Sequence, residues 1–309
     1  RNALGGELPF KVVVSLVCVT FGLAYLSWRW VESPFRNKSK VNTKWLFGSS
    51  VAALLCVLLL GGWIVVNDGF SSNLSPRQQA LLAFSGYDHS ANYRTGECLL
   101  KTDQKEADFL ESCVDKSSRT LIWGDSHAAA LYAGATEIAP LHFFARESCP
   151  PILGRAFASN RYCESTNAHV LSIIESLSPQ QVVLHANWLG HADSRLIDDL
   201  RHTLFRLGSE SPESKIYIVG GVPYWGREGL PRKLVRQLGH FDSKTVGRFE
   251  QASLDRVREA DERLKRLAEE LEHVNFISAL DLVCNDNDRC VSVVEGESLV
   301  PLSWDDSHL

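Results

Sequence analysis

The chain has 309 residues, a formal net charge of −5 and no methionine. Without a basic stripe carrying interleaved aromatics, that mildly acidic balance argues against nucleic acid as a partner, and it offers no attraction to anionic lipid. A chain that lacks an initiator and stops directly after a histidine-bearing motif is expected to be a piece of a longer protein.

Two apolar segments come first. Residues 12–28 are uncharged and strongly apolar, and residues 45–66 are uncharged with Trp45 and Trp63 near their ends. With their flanks, at about 10–28 and 45–66, both are long enough for bilayer-crossing helices of about 20 residues, with aromatics at the interfaces. Two buried core helices are the alternative; a cleaved signal peptide would account for only one segment. Between them lie Arg29, Arg36, Lys38, Lys40 and Lys44 against a single acid, Glu32. Cationic loops stay cytoplasmic, so everything after Val66 is expected outside the cytoplasmic membrane.

Cysteine usage agrees with export. Cys18 and Cys56 fall inside the spans, which leaves Cys98, Cys113, Cys149, Cys163, Cys284 and Cys290. An even number in an exported domain predicts disulfides, and pairing in sequence order is the expectation because each pair closes a short loop, although the count allows many connectivities. Zinc is the competing reading, but there is no Cys-x-x-Cys and no histidine at finger spacing.

Residues 67–97 are polar and rich in turn formers, with a short helical patch from Gln78 to Phe84, and read as a linker or a small extension packing on the main domain. From Thr120 onward, strand-like runs alternate with helical patterns: Thr120 to Trp123, Leu141 to Ala145, Gln181 to His185, Lys215 to Val219 and Val274 to Leu280. This alternation predicts an α/β fold with a mostly parallel sheet covered by helices on both faces. The most regular helix is expected from about Phe249 to Glu272, with Leu254, Val257, Leu264, Leu267 and Leu271 on one face. Gly220-Gly221-Val222-Pro223 reads as a strand-ending turn, since no Lys-Ser/Thr follows to bind phosphate.

Two motifs carry chemistry. Ile122-Trp123-Gly124-Asp125-Ser126-His127 follows a strand and opens an Ala-rich helix, and Asp305-Asp306-Ser307-His308-Leu309 closes the chain. Together they supply a serine nucleophile, a histidine base and a carboxylate to orient it. At a strand-to-helix turn, Ser126 meets unpaired backbone N–H groups that suit an oxyanion. Asp305, three residues before His308, is placed to hold the imidazole, with Asp306 as the fallback. Asn187 also falls just past a strand end, where ligands bind in open parallel sheets. Of the other histidines, His127 is expected to pack at the helix start or line the pocket, His185 to be a hydrogen-bonded core residue, and His169 and His191 to face solvent.

On these residues the chain resembles the SGNH, or GDSL-like, hydrolase superfamily, whose first block is Gly-Asp-Ser and whose last is Asp-x-x-His. More narrowly it resembles the SGNH domain fused behind the membrane domain of family 3 acyltransferases, bacterial enzymes that O-acetylate surface glycans. Trp28-Arg29-Trp30-Val31-Glu32-Ser33-Pro34-Phe35-Arg36, Tyr93-Arg94-Thr95-Gly96-Glu97-Cys98, Cys149-Pro150-Pro151 and the terminal Asp-Asp-Ser-His-Leu belong to the same pattern. The resemblance covers essentially the whole chain. It implies a flavodoxin-like three-layer α/β/α sandwich over residues 98–309, behind the last two transmembrane helices in residues 1–66.

By motif position it implies Ser126, Asp305 and His308 as the triad. The block-three Asn maps onto Asn187, although the usual Gly-x-Asn is here His185-Ala186-Asn187, and the block-two glycine has only Gly154 as a candidate. The implied activity is O-acyl transfer, most often of acetyl, to an envelope polysaccharide such as O-antigen. The fragment itself would bind no metal or cofactor, and acetyl-coenzyme A would be the donor to the full-length protein through its upstream membrane domain. The implied location is a bacterial inner membrane, crossed several times, with the C-terminal domain in the periplasm. A carbohydrate esterase and a non-catalytic, membrane-anchored glycan-binding module are the rival readings.

Overall fold

The computed structural model describes residues 10–33, 43–67, 69, 73–237, 248–250, 254–285, 289–295 and 299–308. The chain divides into two compact units, Arg1–Ser75 and Pro76–Leu309. In the first, α1 (Phe10–Ser27) runs into a π-helical turn at Trp28–Glu32, and α2 spans Thr43–Val66. Both helices are apolar around their circumference, and Phe21, Leu23, Leu59 and Val65 are all more than half exposed. A helix without a polar face suits hydrocarbon or a core, and here no core covers it. Among the described residues one helix, Phe47–Val66, is long and apolar enough to cross a bilayer, with a mean hydropathy of 2.4; the apolar stretch Val13–Ser27 is shorter. The loop residues Arg36, Lys38 and Lys40 lie outside the described residues.

The second unit is built on a six-stranded sheet. Its strands are β1 (Leu99–Leu100), β2 (Thr120–Gly124), β3 (His142–Arg146), β4 (Gln181–His185), β5 (Lys215–Val219) and β7 (Val274–Ile277), in the order β1-β3-β2-β4-β5-β7. All five pairings are parallel. Consecutive strand residues point to opposite faces, and all five residues of β3 are buried, so the sheet is covered on both sides. The covering helices include α4 (Ser126–Ala135) against β2, β3 and β4, α5 (Cys163–Leu177) against β3, α6 (Leu196–Glu210) and α8 (Asp255–Glu269) against β7. Trp123, Phe143, Phe144, Leu184, Ile216 and Ile218 fill the central core.

The patch after Ser75 forms α3 (Pro76–Ala83) and a 3-10 turn at Phe84–Gly86. Leu81 is fully buried with Trp225, Leu230 and Leu234, where α3 packs on α7 (Leu230–Gln237). Gln78 adds a bond from Nε2 to the Val235 carbonyl at 3.0 Å.

Three expectations need correction. The helix expected from Phe249 begins instead at Asp255, because residues 248–250 form a short strand, β6, paired antiparallel with β8 (Arg289–Val291). The run Val274 to Leu280 breaks at Ser278, whose hydroxyl accepts the Asp281 N–H at 3.1 Å and starts α9 (Ala279–Val283). The third strand lies one residue later than expected and includes Arg146. A further ribbon pairs β9 (Val293–Glu295) with β10 (Leu299–Pro301).

The six cysteines outside the apolar helices pair in sequence order: Cys98 with Cys113, Cys149 with Cys163 and Cys284 with Cys290. Cys18 and Cys56 are free.

Candidate active site

Ser126 sits where the central strand β2 becomes α4. A side chain at Gly124 would bring its Cβ within 1.7 Å of the His185 carbonyl oxygen, so only glycine lets β2 and β4 stay in register beside the serine. Asp125 caps the helix, its Oδ1 accepting the His127 N–H at 2.8 Å. Ser126 is therefore the first helical residue, among N–H groups with no intrahelical acceptor.

The other half of the site comes from a loop without regular structure, so it depends on anchors. Trp225 donates its N–H to the Asp306 carbonyl at 2.7 Å, and Leu230 donates to the Asp305 carbonyl at 2.8 Å. Between them Gly229, at φ +77°, passes so close that a Cβ would stand 3.1 Å from the Asp305 carbonyl carbon. Asp305 Oδ1 accepts the backbone N–H groups of Ser307 at 3.0 Å and His308 at 2.8 Å, while Oδ2 lies 2.6 Å from His308 Nδ1. His308 Nε2 lies 3.0 Å from Ser126 Oγ. Nδ1 pairs with an ionised carboxylate and so is the N–H donor, which leaves Nε2 to accept from the serine hydroxyl. Burial pushes the Asp305 carboxyl up, but the His308 ring and the two backbone N–H groups outweigh it and hold the group below its ordinary value. Asp306 faces elsewhere and accepts from Ser307 Oγ at 3.1 Å.

Asn187 is reached through Asp125. The second oxygen of that carboxylate, Oδ2, accepts the Asn187 N–H at 3.0 Å and lies 3.2 Å from His191 Nε2. Burial raises the Asp125 pKa, but the His191 hydrogen bond, the neighbouring imidazoles and the Asn187 N–H bring it down to about 2. Asn187 Oδ1 accepts the Gly190 N–H at 2.8 Å, which fixes the side-chain amide against the turn. His191 was expected to face solvent; instead the turn closes through a His191 N–H bond to the Asn187 carbonyl at 3.1 Å and brings the ring to Asp125. His169 is likewise half-buried, stacked on Phe109.

Two neutral histidines lie beneath. The His127 ring is buried 4.5 Å from that of His308, with Nε2 3.5 Å from Ser307 Oγ, and burial lowers its pKa to about 3. His185 is the hydrogen-bonded core residue expected, Nδ1 lying 3.1 Å from the Val219 carbonyl, and burial lowers its pKa too. On the outer side Trp304 stacks on His308 at 5.6 Å and on His89 at 4.5 Å, and donates Nε1–H to Tyr93 Oη at 3.0 Å. Burial pushes the Tyr93 phenol up to about 12, so it stays neutral.

Gly154 sits at φ +66°. Its neighbours are tied toward α6: Leu153 donates its N–H to Thr203 Oγ1 at 2.9 Å, and Arg155 pairs with Asp199 at 2.9 Å and with Asp193. The structure thus brings Ser126, His308 and Asp305 into one hydrogen-bonded chain, ties Asn187 to the helix that Ser126 begins and anchors the Gly154 turn on α6. Sequence reading missed Asp125, Gly190, Gly229 and Trp304 as site-building residues. Only Asp125 carried a signal, as an Asp at the N-cap position before a helix.

Against known proteins, the family model described as the SGNH domain fused to AT3 domains matches residues 89–309. The solved periplasmic domain of a lipopolysaccharide acetyltransferase from Salmonella ser. Paratyphi A is similar at 20% identity, covering 74% of this chain and 90% of that one, with a TM-score of 0.60. At that identity the likeness establishes the fold. A putative platelet activating factor from Streptococcus pneumonia aligns at 12% identity over 80% of this chain and 91% of its own, with a TM-score of 0.38, too loose to bear on the fold. No curated protein matches.

Proposed function

The chain belongs to the family of SGNH domains fused to AT3 domains, and from that membership and the site geometry we propose that it is an O-acyltransferase that acetylates an envelope polysaccharide through an acyl-serine at Ser126. The observation that carries this reading is the unbroken chain Asp305–His308–Ser126, with spacings of 2.6 and 3.0 Å. Ser126 Oγ attacks the donor's acyl carbon, and its proton passes to His308 Nε2. His308 returns that proton to the departing group as the acyl-serine forms. A sugar hydroxyl then gives its proton to His308 and attacks the acyl carbon, and His308 passes that proton to the departing Ser126 Oγ, which restores the serine hydroxyl and leaves an ester on the glycan. Asp305 stabilises the imidazolium of each step without taking the proton.

The oxyanion of both tetrahedral intermediates is assigned to the Ser126 N–H and Asn187 Nδ2, each donor being worth roughly 3 kcal/mol of barrier; Gly154 is retained as a weaker candidate. Upstream membrane helices are taken to relay the acetyl group from acetyl-coenzyme A. Residues 1–66 would be the last two spans of that membrane domain, residues 67–97 a connecting extension and residues 98–309 the exported domain. Three disulfides support a periplasmic setting. The fold shared with a lipopolysaccharide acetyltransferase domain supports lipopolysaccharide O-antigen as the first acceptor to try.

The test replaces Ser126, His308 and Asp305 singly by Ala in the intact protein and measures ester-linked acetate on the envelope polysaccharide. Near-complete loss is expected for Ser126 and His308, with a smaller loss for Asp305, which only orients the base. Acetylation that persists in a folded Ser126→Ala protein rejects the nucleophile. Free acetate released from acetylated glycan without gain on an acceptor would identify an esterase.

A further inference from the structure

A small, partly open cavity is lined by His127 and Ser307, the chain neighbours of Ser126 and His308, and by Asn187, Trp188, Val222 and Val257. We propose that this cavity is the acyl pocket: it takes the hydrocarbon end of a short acyl group, and Val222 and Val257 set the limit on chain length. The inference rests on Ser126 being the nucleophile and adds what that residue can carry.

Placement is the first argument. His127 follows Ser126 in the chain and its ring centre is 4.5 Å from that of His308. Ser307, at the cavity's edge, precedes His308. Asn187 is bound through its N–H to the same carboxylate that caps the Ser126 helix. An acyl carbon on Ser126 with its oxygen toward Asn187 therefore has this cavity as its neighbour.

The chemistry of the walls is the second. Trp188 spends its indole N–H on the Val219 carbonyl at 2.7 Å, and Asn187 spends Oδ1 on Gly190. Burial holds His127 neutral, with His308 and His185 adding to it against the pull of Asp125 and Asp305. Val222 and Val257 present only methyl groups. A pyranose ring carries hydroxyls around its edge, and those turned toward Val222 and Val257 would be left without partners at a cost of about 1–3 kcal/mol each. An alkyl tail loses nothing in such walls and gains about 0.8 kcal/mol per buried methylene.

The third argument is rigidity. Gly221, in the turn after β5, presses on Val257 so closely that a Cβ would stand 2.6 Å from Val257 Cγ1, and its N–H is bound to Asp261 one turn further along α8 at 2.6 Å. The turn and the helix that line the cavity are thus clamped together, so the pocket does not widen between them to follow a longer chain.

The experiment uses the full chain in detergent, with Val222→Ala and Val257→Ala variants, and compares kcat/KM for p-nitrophenyl acetate, butyrate and hexanoate. Within one preparation the hexanoate-to-acetate ratio is independent of how much enzyme is folded, which protects the result from the stability cost of either substitution. The wild type is expected to prefer acetate over hexanoate by about tenfold or more, and each variant to raise the ratio by about three- to tenfold. Ratios unchanged in both variants overturn the pocket, as does a wild type with a flat chain-length profile. Unchanged ratios with a raised KM for glycan would make the cavity an acceptor site, and so reject the acyl assignment while leaving Ser126 in place. Equal hydrolysis by wild type and Ser126→Ala would reject the nucleophile and the pocket together.

Discussion

The carboxylate of Asp125 joins the helix begun by Ser126 to Asn187: Oδ1 accepts the His127 N–H in the first turn of that helix at 2.8 Å and Oδ2 accepts the Asn187 N–H at 3.0 Å. The two proposed oxyanion donors, on loops after different strands, are thereby set by one buried group. Asp125→Ala should lower kcat for acyl transfer by about tenfold to a hundredfold with KM nearly constant, because the lost interactions position groups used in the transition state. Loss of the cap should also cost about 1 kcal/mol of stability. Kinetics and denaturant unfolding of the same preparation separate the two effects. A variant with normal kcat would show that Asn187 needs no such anchor.

Gly229 and Gly226 provide a matched pair. Both have positive φ, at +77° and +85°, but a Cβ at Gly229 meets the Asp305 backbone whereas one at Gly226 meets nothing within 4 Å. Alanine at either position should cost about 1–2 kcal/mol of stability through strain. Only Gly229→Ala should also reduce turnover, by displacing Asp305 and with it His308. Equal turnover in the two variants would show that the triad loop tolerates the shift.

His127 should make the fold acid-sensitive. Its pKa is about 3 in the folded chain and ordinary when unfolded, so the unfolded state binds more protons between about pH 6.5 and 3. Stability is then retained above pH 6.5 and falls as the pH drops through that window, at up to about 1.4 kcal/mol per pH unit from this group. Unfolding free energies measured from pH 7.5 to 4.5 should fall less steeply for His127→Gln than for the wild type. Parallel curves would mean that the ring is protonated where it lies.

Asp261 should act in the opposite direction. Burial raises its carboxyl to about 6, Oδ1 accepts the Gly221 N–H and Oδ2 has no partner among the described residues. A raised folded pKa means that its contribution is fully present below the unfolded value near 3.8 and is lost as the pH rises through 6. Asp261→Asn keeps the acceptor and removes the ionisation, so it should raise the melting temperature at pH 8 by a few degrees and leave it unchanged at pH 4. A variant less stable at pH 8 would show that the charge is accommodated.

Much of this protein was legible in one dimension because its signals are local. β4 and β5 are apolar runs readable from Gln181–His185 and Lys215–Val219, and the Gly-Asp-Ser turn announces itself where an apolar strand meets an Ala-rich helix. Pairing the cysteines in order is preferred because each pair closes a short loop, but the sequence leaves the connectivity open and the fold decides it. Ser126, Asp305 and His308, which the fold joins in one hydrogen-bonded chain, are likewise singled out by motif chemistry without geometry.

What the sequence could not determine depends on segments that meet only after folding. His308 and Ser126 are 182 positions apart, and their 3.0 Å contact exists because Trp225, Gly229 and Leu230 pin an irregular loop beside the carboxyl end of the central strand β2. The orientation of Asn187 follows from a carboxylate 62 positions earlier. The partner of His191, the start of α8 after a strand and the neutrality of His127 were invisible for the same reason: each is decided by which groups exclude water together, and only the tertiary structure brings those groups into contact.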